Sequence, residues 1–372
     1  MIVFTAGPSH IRDWMALKAV FTKRTFHFSF RARTSRGAMS QRDSWFLKIW
    51  DDKDPAVFGL GEAGPLPGLS QESPEQVEAQ LSDVMSRLTK LSVSSAPNLE
   101  SLYQAIGVYD LSSSVLFALE TAWLDFIQGG IRKIFDNSFL KGTPIPINGL
   151  VWMGGLDDML QQVSIKLYDG FDCIKLKIGG INFEKELDIL QFIRRKYFRD
   201  VVTIRLDANG AFKVEDAMYK LMDCARYDIH SIEQPIRPGL SKMAELCRET
   251  PVPIALDEEL IGVNKREAKI ALLDRIRPQF IILKPSLHGG IAGCKEWVRL
   301  AEERQTGWWM TSALESSVGL NAIAQFSAEY PIDTHQGLGT GMIYTDNIAS
   351  PLKVEKGHLK VDSQEIWDLS EF

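Results

Sequence analysis

Charged residues recur at nearly even intervals in the second half of this chain. Lys177, Asp207, Glu233, Asp257 and Lys284 each lie at the end of a short apolar run that contains β-branched residues. The steps between them are 30, 26, 24 and 27 residues, roughly one strand plus one helix. In a (β/α)₈ barrel the carboxyl ends of successive strands surround one pocket. The spacing therefore predicts a barrel with these five side chains around its mouth.

Apolar strands alternate with amphipathic helices from about residue 145 onward. Residues 214–225 show the clearest helical spacing, with apolar residues that fall on one face. This alternation is typical of a parallel sheet covered by helices, either open and doubly wound or closed into a barrel. An open sheet concentrates its site at one switch point, whereas the charged residues here are spread over five consecutive strands. The pattern favours an α/β barrel, with strands predicted at 145–150, 173–178, 201–206, 229–232, 254–256, 280–283 and 308–311.

The sequence pattern divides the chain into three parts. The pattern of residues 1–140 predicts an α+β domain. It contains an antiparallel sheet over 17–60 with a turn at 35–37, and a helix that starts at Ser73-Pro74. A breaker-rich joint at 141–146 opens the barrel, which we assign to 141–322. Residues 323–372 are predicted to complete the barrel and return to the first domain, and the alternating stretch 352–361 is expected to join its sheet.

Composition excludes several classes of function. The 372 residues carry a net charge of −6, which argues against nucleic acid or an acidic membrane surface as a partner. No apolar stretch reaches the length of a membrane span, since the longest candidate contains Glu120 and Asp125. The four cysteines are far apart, and the N-terminus shows no signal-peptide pattern. We therefore expect a cytoplasmic protein with reduced thiols that acts on a small molecule.

The three acidic residues predict a metal site. Asp207, Glu233 and Asp257, brought close together, would repel one another unless a divalent cation neutralised them. A set of hard oxygen ligands without a histidine or cysteine cluster is typical of Mg²⁺, and Mn²⁺ is a plausible substitute.

The lysines predict acid/base chemistry. Lys175 and Lys177 are two apart on one strand, so both side chains point into the barrel, and Lys284 ends the strand across the ring. Desolvation and mutual repulsion lower the pKa of a lysine and allow it to act as a base near neutral pH. With a metal, these groups suit removal of a proton next to a carboxylate.

Other segments are weaker candidates for the site. The run 311–320 carries hydroxyl groups and backbone amides suited to a second carboxylate, or to ordinary helix capping. Arg36 and the loop 65–72 either cover the barrel mouth or form exposed turns. GLGTG at 337–341 lacks the context of a dinucleotide-binding motif and is interpreted as a loop. His288 is interpreted as a loop residue without function.

Taken together, the motifs resemble those of the enolase superfamily, muconate-lactonizing-enzyme subgroup. The resemblance rests on KLK (175–177), RLDANG (205–210), IEQP (232–235), ALDEEL (256–260), ILKPS (282–286), TSALESSVGL (311–320) and GEAGPLPGLSQE (61–72). It covers the chain from about residue 17, whereas the first 15 or so residues match nothing in the family and are interpreted as an extension. The resemblance implies a (β/α)₇β TIM-like barrel with an N-terminal α+β capping domain that the C-terminal segment completes.

The resemblance also implies residue roles and an activity. Asp207, Glu233 and Asp257 would bind Mg²⁺, Lys177 would be the acid/base catalyst, and Lys284 would stabilise the enolate from the opposite face. Lys175 would tune Lys177, and Asn209 would support the site. Ser312 and Ser316 would lie near the succinyl group of a dicarboxylate substrate. The subgroup members that the chain resembles most are hydro-lyases that convert 2-succinyl-6-hydroxy-2,4-cyclohexadiene-1-carboxylate to o-succinylbenzoate by syn dehydration in menaquinone biosynthesis.

Three alternatives remain open at this point. An N-succinylamino-acid racemase or dipeptide epimerase would share the fold and use Lys177 and Lys284 as two bases. A Schiff-base aldolase would use one lysine as a nucleophile without a metal. A barrel of this kind could also be a non-catalytic scaffold. The sequence carries no prediction of the oligomeric state.

Overall fold

The structure, a computed structural model, describes residues 17–34, 37–91, 96, 98–108 and 110–372. The predicted N-terminal extension and Arg36 lie outside the described residues. The strands are β1 (Leu17–Thr34), β2 (Gly37–Asp51), β3 (Asp54–Ala63), β4 (Ile145–Pro146), β5 (Gly149–Val151), β6 (Cys173–Lys177), β7 (Thr203–Asp207), β8 (Ser231–Glu233), β9 (Ile254–Leu256), β10 (Phe280–Leu283), β11 (Gly307–Met310), β12 (Leu352–Glu355) and β13 (His358–Val361). The α-helices are α1 (Pro74–Leu88), α2 (Leu99–Ile106), α3 (Ser113–Ile127), α4 (Leu156–Tyr168), α5 (Phe183–Lys196), α6 (Val214–Ala225), α7 (Lys242–Glu249), α8 (Arg266–Ile276), α9 (Gly290–Glu302) and α10 (Ser317–Ser327).

The N-terminal part, called the cap below, is an antiparallel sheet of β1, β2 and β3 covered by helices α1 to α3. Alternate residues of β2, such as Trp45 and Leu47, face these helices and are fully buried, as the period of a half-buried strand requires. Helix α1 begins where the sequence predicts, because Ser73 caps it in a reciprocal pair with Gln76. Helix α3 lies directly on β3, since a Cβ atom at Gly61 would stand 1.9 Å from the carbonyl oxygen of Ala118.

The second part is a curled parallel sheet of seven strands in the order β5 to β11. Its strands are almost entirely buried, and helices cover its outside. Gln336 and Gly337 close the ring through single parallel bridges to Ile147 and Thr311. The α/β barrel with an N-terminal cap is therefore the fold of this chain, and the eighth strand is reduced to these two bridges.

Two details of the predicted strands are wrong. The segment 145–150 is not one strand: β4 pairs with β13, and β5 alone enters the barrel sheet. The break falls after Pro146, which has no N–H to donate to a sheet. The hairpin β12–β13 is likewise attached to β4 and not to the cap sheet. Residues outside the hairpin contact the cap instead: Tyr344 bridges to Phe28, and Phe372 packs on Phe46.

Two further expectations concern burial and hydropathy. All four cysteines are buried and free. No helix within the described ranges has the length and apolar character that a membrane span requires.

Candidate active site

The charged residues that the sequence singled out converge at the carboxyl ends of β6 to β10. In the register of the sheet, Lys177 lies beside Asp207, and Asp207 lies beside Glu233. A cavity of about 170 Å³ opens here, and Lys175, Lys177, Asp207, Asn209 and Lys284 line it. Glu233 and Asp257 stand just behind this wall, fully or almost fully buried. The charged residues that are spaced one β/α unit apart in the sequence thus form one cluster in the structure.

Lys175 and Lys177 both point into the barrel but have different surroundings. The Nζ atom of Lys175 lies 3.1 Å from Oδ2 of Asp207 and also donates to Oε2 of Glu233. The Nζ atom of Lys177 donates to Oδ2 of Asp207 at 2.8 Å and to Oδ1 of Asn209 at 2.9 Å. Two carboxylates therefore hold Lys175, whereas Lys177 has one carboxylate and a neutral amide.

This difference separates the pKa values of the two lysines. Burial favours the neutral amine at both positions, but the charges of Asp207 and Glu233 outweigh it and raise the pKa of Lys175. For Lys177, burial and the neighbouring positive charge of Lys175 prevail over the attraction of Asp207, and its pKa is lowered. Of the two, Lys177 is thus the one that more readily loses its proton.

Lys284 faces the same cavity from the other flank and donates to Oδ2 of Asp257. Burial favours the neutral amine of Lys284, but the negative charge of Asp257 outweighs this effect and raises the pKa of Lys284. The backbone N–H of Lys284 donates to Nδ1 of His288 at 3.0 Å. His288 is buried, and burial lowers its pKa to about 3, so the neutral ring acts as an acceptor that fixes the backbone under Lys284.

The acidic residues have the donor chemistry of a magnesium site but are not grouped as a ready-made cation cage. Within the described part of the chain, no three acidic, histidine or cysteine side chains stand close enough together to hold a metal. The reason is visible in the contacts, since each of the three carboxylates is paired with a lysine. These lysines neutralise the charge that a cation would otherwise balance.

Two observations nevertheless fit a cation. Oε1 of Glu233 and Oδ1 of Asp257 are buried without a hydrogen-bond partner among the described residues, and buried carboxylate oxygens are normally hydrogen-bonded or bound to metal. Burial and the neighbouring charges of Asp207 and Asp257 also raise the pKa of Glu233 to about 7, although Lys175 opposes them. The two unpartnered oxygens are therefore available to a cation, and hard oxygen donors of this kind suit Mg²⁺.

Asn209 and the serines were predicted to assist the site, with different outcomes. Asn209 lines the cavity, and its amide links Lys177 to Oε1 of Glu258. Ser312 also lines the cavity, but its hydroxyl donates to Glu315 at 2.6 Å and accepts the backbone N–H of Leu314. It therefore shapes its own loop as well as the cavity wall.

Ser316 is not among the residues that line the cavity. Its hydroxyl and its backbone N–H both donate to the buried carboxylate of Glu62, a residue of β3 in the cap, at 2.6 and 3.0 Å. The N–H of Gly319 donates to the same carboxylate. The segment does bind a carboxylate at a helix N-terminus, as its amides suggested, but that carboxylate belongs to the protein. Ser316 consequently attaches the cap to α10 and does not line the cavity.

The rest of the cavity wall is uncharged, and most of it was missed by sequence reasoning. It includes Asn148, Leu150 and Trp152 around β5, Thr311 after β11, and Gly337, Gly339 and Thr340 of the segment interpreted only as a loop. From the cap come Met39, Leu66 and Leu69, which places the predicted loop 65–72 over the barrel mouth. Thr311, Leu66 and Leu69 belong to segments that the sequence offered as candidates. Of the other wall residues named here, Asn148, a polar residue inside an otherwise apolar run, carried a signal that could have been noticed in the sequence.

Comparisons with known proteins agree with this geometry. Residues 158–365 match the family model described as Enolase C-terminal domain-like. The chain is 42% identical over 360 residues to the o-succinylbenzoate synthase of Desulfotalea psychrophila, which covers 90% of this chain and 96% of that relative. Similarity of this extent includes both the cap and the barrel.

Solved structures share the architecture. The crystal structure of MenC from Desulfotalea psychrophila superposes with a TM-score of 0.82 at 38% identity, over 93% of this chain and 100% of that chain. A dipeptide epimerase from Cytophaga hutchinsonii, solved with Mg and the dipeptide D-Ala-L-Val, has a TM-score of 0.79 at 20% identity, over 93% and 94% of the two chains. At that identity the second likeness concerns the fold alone, and it shows that a protein of this fold has been crystallised with Mg.

Proposed function

The chain belongs to the Enolase C-terminal domain-like family, and from that premise we propose that it is an o-succinylbenzoate synthase. It would dehydrate 2-succinyl-6-hydroxy-2,4-cyclohexadiene-1-carboxylate to o-succinylbenzoate, a step of menaquinone biosynthesis. The observation that carries the proposal is that Lys177 and Lys284 line one cavity while each is paired with a different buried carboxylate. The extent of similarity to a synthase of this name supports the choice of substrate.

Asp207, Glu233 and Asp257 are the residues that would hold Mg²⁺, with Mn²⁺ as a substitute. When bound, the ion supplies positive charge next to the substrate carboxylate and so makes the adjacent carbon acid easier to ionise. The free oxygens of Glu233 and Asp257 support this assignment.

Lys177 is the proposed acid/base catalyst. Its lowered pKa favours a neutral amine that can accept the proton from the carbon next to the substrate carboxylate. Asn209 orients this amine through its Oδ1 atom. The ammonium formed then returns a proton to the departing hydroxyl group, so that water leaves from the same face and the ring becomes aromatic. One residue performs both transfers, which accounts for a syn elimination.

Lys284 is proposed to act as a fixed cation on the opposite side. Asp257 raises its pKa, and an ammonium held in this way stabilises the negative charge that develops on the substrate carboxylate. Lys175 stays charged between Asp207 and Glu233, and its charge helps to keep the pKa of Lys177 low.

Racemisation or epimerisation of an N-acylated amino acid or dipeptide is the second candidate. One observation favours it, namely that both lysines reach the cavity and a 1,1-proton transfer needs a base on each side. The extent of similarity to a protein named as an o-succinylbenzoate synthase favours the dehydration instead. Neither relative described above is an aldolase or a scaffold protein, so those alternatives have no support.

The test is a spectrophotometric assay of the purified chain with the cyclohexadiene substrate, with Mg²⁺ or with EDTA. We expect turnover to o-succinylbenzoate with Mg²⁺ and its loss with EDTA. Calorimetric titration with Mg²⁺ is a readout that does not depend on turnover, and Glu233→Gln should weaken binding. An untouched substrate in the presence of Mg²⁺ would contradict the proposed activity, and unchanged Mg²⁺ affinity in Glu233→Gln would contradict the metal assignment.

A further inference from the structure

The loop after β11 presents Ala313 and Leu314 to the cavity in an unusual backbone conformation. Leu314 has a φ of 68°, in the left-handed region that a leucine rarely adopts. Such strain persists only where surrounding structure holds it, and it is concentrated at functional sites. Ser312 holds the backbone N–H of Leu314 from within the loop, whereas the carbonyl groups of the turn are held from outside it.

Two side chains from distant parts of the chain hold the carbonyl groups of this turn. Nη1 of Arg42, on β2 of the cap, donates to the carbonyl oxygen of Ala313 at 2.6 Å. The hydroxyl of Tyr344 donates to the carbonyl oxygen of Leu314, also at 2.6 Å. The phenol of Tyr344 also lies beside the Arg42 guanidinium, so the two side chains act on adjacent peptide groups as one unit.

Arg42 also holds a second wall of the cavity. Its Nη2 atom donates to the carbonyl oxygen of Gly64, directly ahead of the cap loop whose residues Leu66 and Leu69 line the cavity. Gly64 leaves room for this contact, because a Cβ atom there would lie 2.2 Å from Nη2. A planar guanidinium can bind two carbonyl groups in different directions, which a lysine ammonium does less well.

This arrangement is not explained by stability alone. Arg42 is 2% exposed, and its Nε atom is buried without a hydrogen-bond partner among the described residues. Glu62 and Glu315 lie near enough to compensate its charge, but a buried charge with an unused donor is a costly way to attach a cap. An apolar contact would stabilise the same interface, so the retained guanidinium points to a role in geometry.

We infer that Arg42, with Tyr344, is a positioning residue that sets the spacing between the cap loop after Gly64 and the barrel loop at Ala313–Leu314. Neither residue lines the cavity. They act through the two loops that contact the part of the substrate that does not react. The inference rests on the proposed function only for its kinetic consequence, because the spacing itself can be measured without turnover.

The test compares Arg42→Met with a matched control, Glu120→Gln. Glu120 is also a buried cap residue, and its carboxylate accepts the N–H groups of Ile291 and Ala292 at the start of α9. None of these three residues lines the cavity. For Arg42→Met we expect KM for the cyclohexadiene to rise about tenfold with kcat within about threefold of wild type, as for loss of binding alone. Amide exchange should become faster at both 64–70 and 311–316. Glu120→Gln should keep the wild-type KM and show faster exchange only near 290–293.

Two conservative variants separate positioning from general stability. Arg42→Lys keeps the charge but not the planar pair of donors, so it should recover thermal stability without recovering KM. Tyr344→Phe removes one hydroxyl and should raise KM by about two- to fivefold. If Arg42→Met does not fold, Arg42→Lys and Tyr344→Phe test the inference in its place. A wild-type KM in both variants overturns it.

Other outcomes are equally decisive. The inference is wrong if Arg42→Met lowers Tm while KM and exchange at 311–316 stay at wild-type values, or if Glu120→Gln raises KM as much. A wild-type chain that leaves the substrate unchanged contradicts the proposed function only. In that case, faster exchange in both loops of Arg42→Met still supports the positioning role, and unchanged exchange refutes it.

Discussion

The barrel mouth has two halves that are built in different ways. The charged arc comprises the ends of β6 to β10. Ion pairs between neighbouring parts of the sheet hold its side chains, which are Lys175, Lys177, Asp207, Glu233, Asp257 and Lys284. The neutral arc comprises 148–152, 311–314 and 337–340, which surround the seam where the ring closes. Barrel strands and the loops that follow them position the charged arc, whereas the cap and the C-terminal segment hold much of the neutral arc. The proposed chemistry therefore belongs to the barrel, and the proposed recognition depends on how the parts of the chain are assembled.

The largest expected effect is at Lys177 in the charged arc. Replacing it by alanine removes the proposed acid/base group, and general acid/base catalysis is typically worth about 10²–10⁴ in rate. We expect kcat of Lys177→Ala to fall by about 10³ or more, with Tm close to wild type. Steady-state kinetics and thermal unfolding measure the two quantities. A loss below about tenfold would mean that the charged arc does not carry the chemistry.

Lys284 should respond to charge rather than to the exact side chain. A cation that stabilises developing charge is typically worth about 10²–10³ in kcat, so Lys284→Ala should lose activity on that scale. Lys284→Arg keeps the charge and should retain partial activity in the dehydration. Complete loss in Lys284→Arg would instead favour the racemase or epimerase chemistry, which needs a base at this position.

Asn148 tests the neutral arc. Its Oδ1 atom is buried at the cavity wall without a hydrogen-bond partner among the described residues, so a bound substrate is the expected partner. Loss of one hydrogen bond of this kind costs about 1 kcal/mol, and Asn148→Ala should raise KM about fivefold with little change in kcat. A fall in kcat at constant KM would remove the distinction between the two arcs.

Glu120 lies outside both arcs and attaches the cap to α9. Its contribution can be tested through the change of the free energy of unfolding with pH. Burial raises its pKa to about 7 in the folded protein, against 4.5 for the ordinary side chain, although hydrogen bonds from Tyr103 and the α9 backbone oppose this. The folded state thus binds the proton more tightly than the unfolded state, so the contribution of Glu120 is present below pH 4.5 and is lost as pH rises through about 7.

The comparison is thermal unfolding of wild type and Glu120→Gln at pH 5 and pH 8. The free energy of unfolding of wild type relative to the variant should fall between these values by at most about 3 kcal/mol, which corresponds to a few degrees in Tm. Parallel pH dependence in the two proteins would show that Glu120 ionises normally. Since Glu120 is not among the residues that line the cavity, KM should be the same in both.

The sequence predicted the charged arc well because its signals are local. Lys177, Asp207 and Glu233 are neighbours across parallel strands, so their approach follows from the strand period and from the way βα units close into a ring. The cap sheet and the start of α1 were also predicted, since strand alternation and Ser73-Pro74 act over a few residues. The family resemblance was confirmed by the match over 158–365.

Two features that were not predicted share a cause, because both concern long-range partners. Ser316 has the amides and hydroxyl of an anion site, but Glu62, 254 residues earlier, takes that place. The hairpin β12–β13 was recognised, yet its partner is β4 and not the cap sheet. Neither choice is encoded in a local pattern, since several exposed edges and several carboxylates would satisfy the same local chemistry.

The sequence by itself determined the fold class and the positions of the charged side chains at the barrel mouth, because one β/α unit per charged residue leaves few ways to arrange them. Only the tertiary structure decided which lysine is paired with which carboxylate, and hence that the pKa of Lys177 falls while that of Lys175 rises. It also decided the neutral arc, in which Arg42 and Tyr344 hold the turn at Leu314. Burial and charge act through distances of a few ångströms. The register of the barrel strands sets these distances in the charged arc, and contacts from the cap and the C-terminal segment set them in the neutral arc.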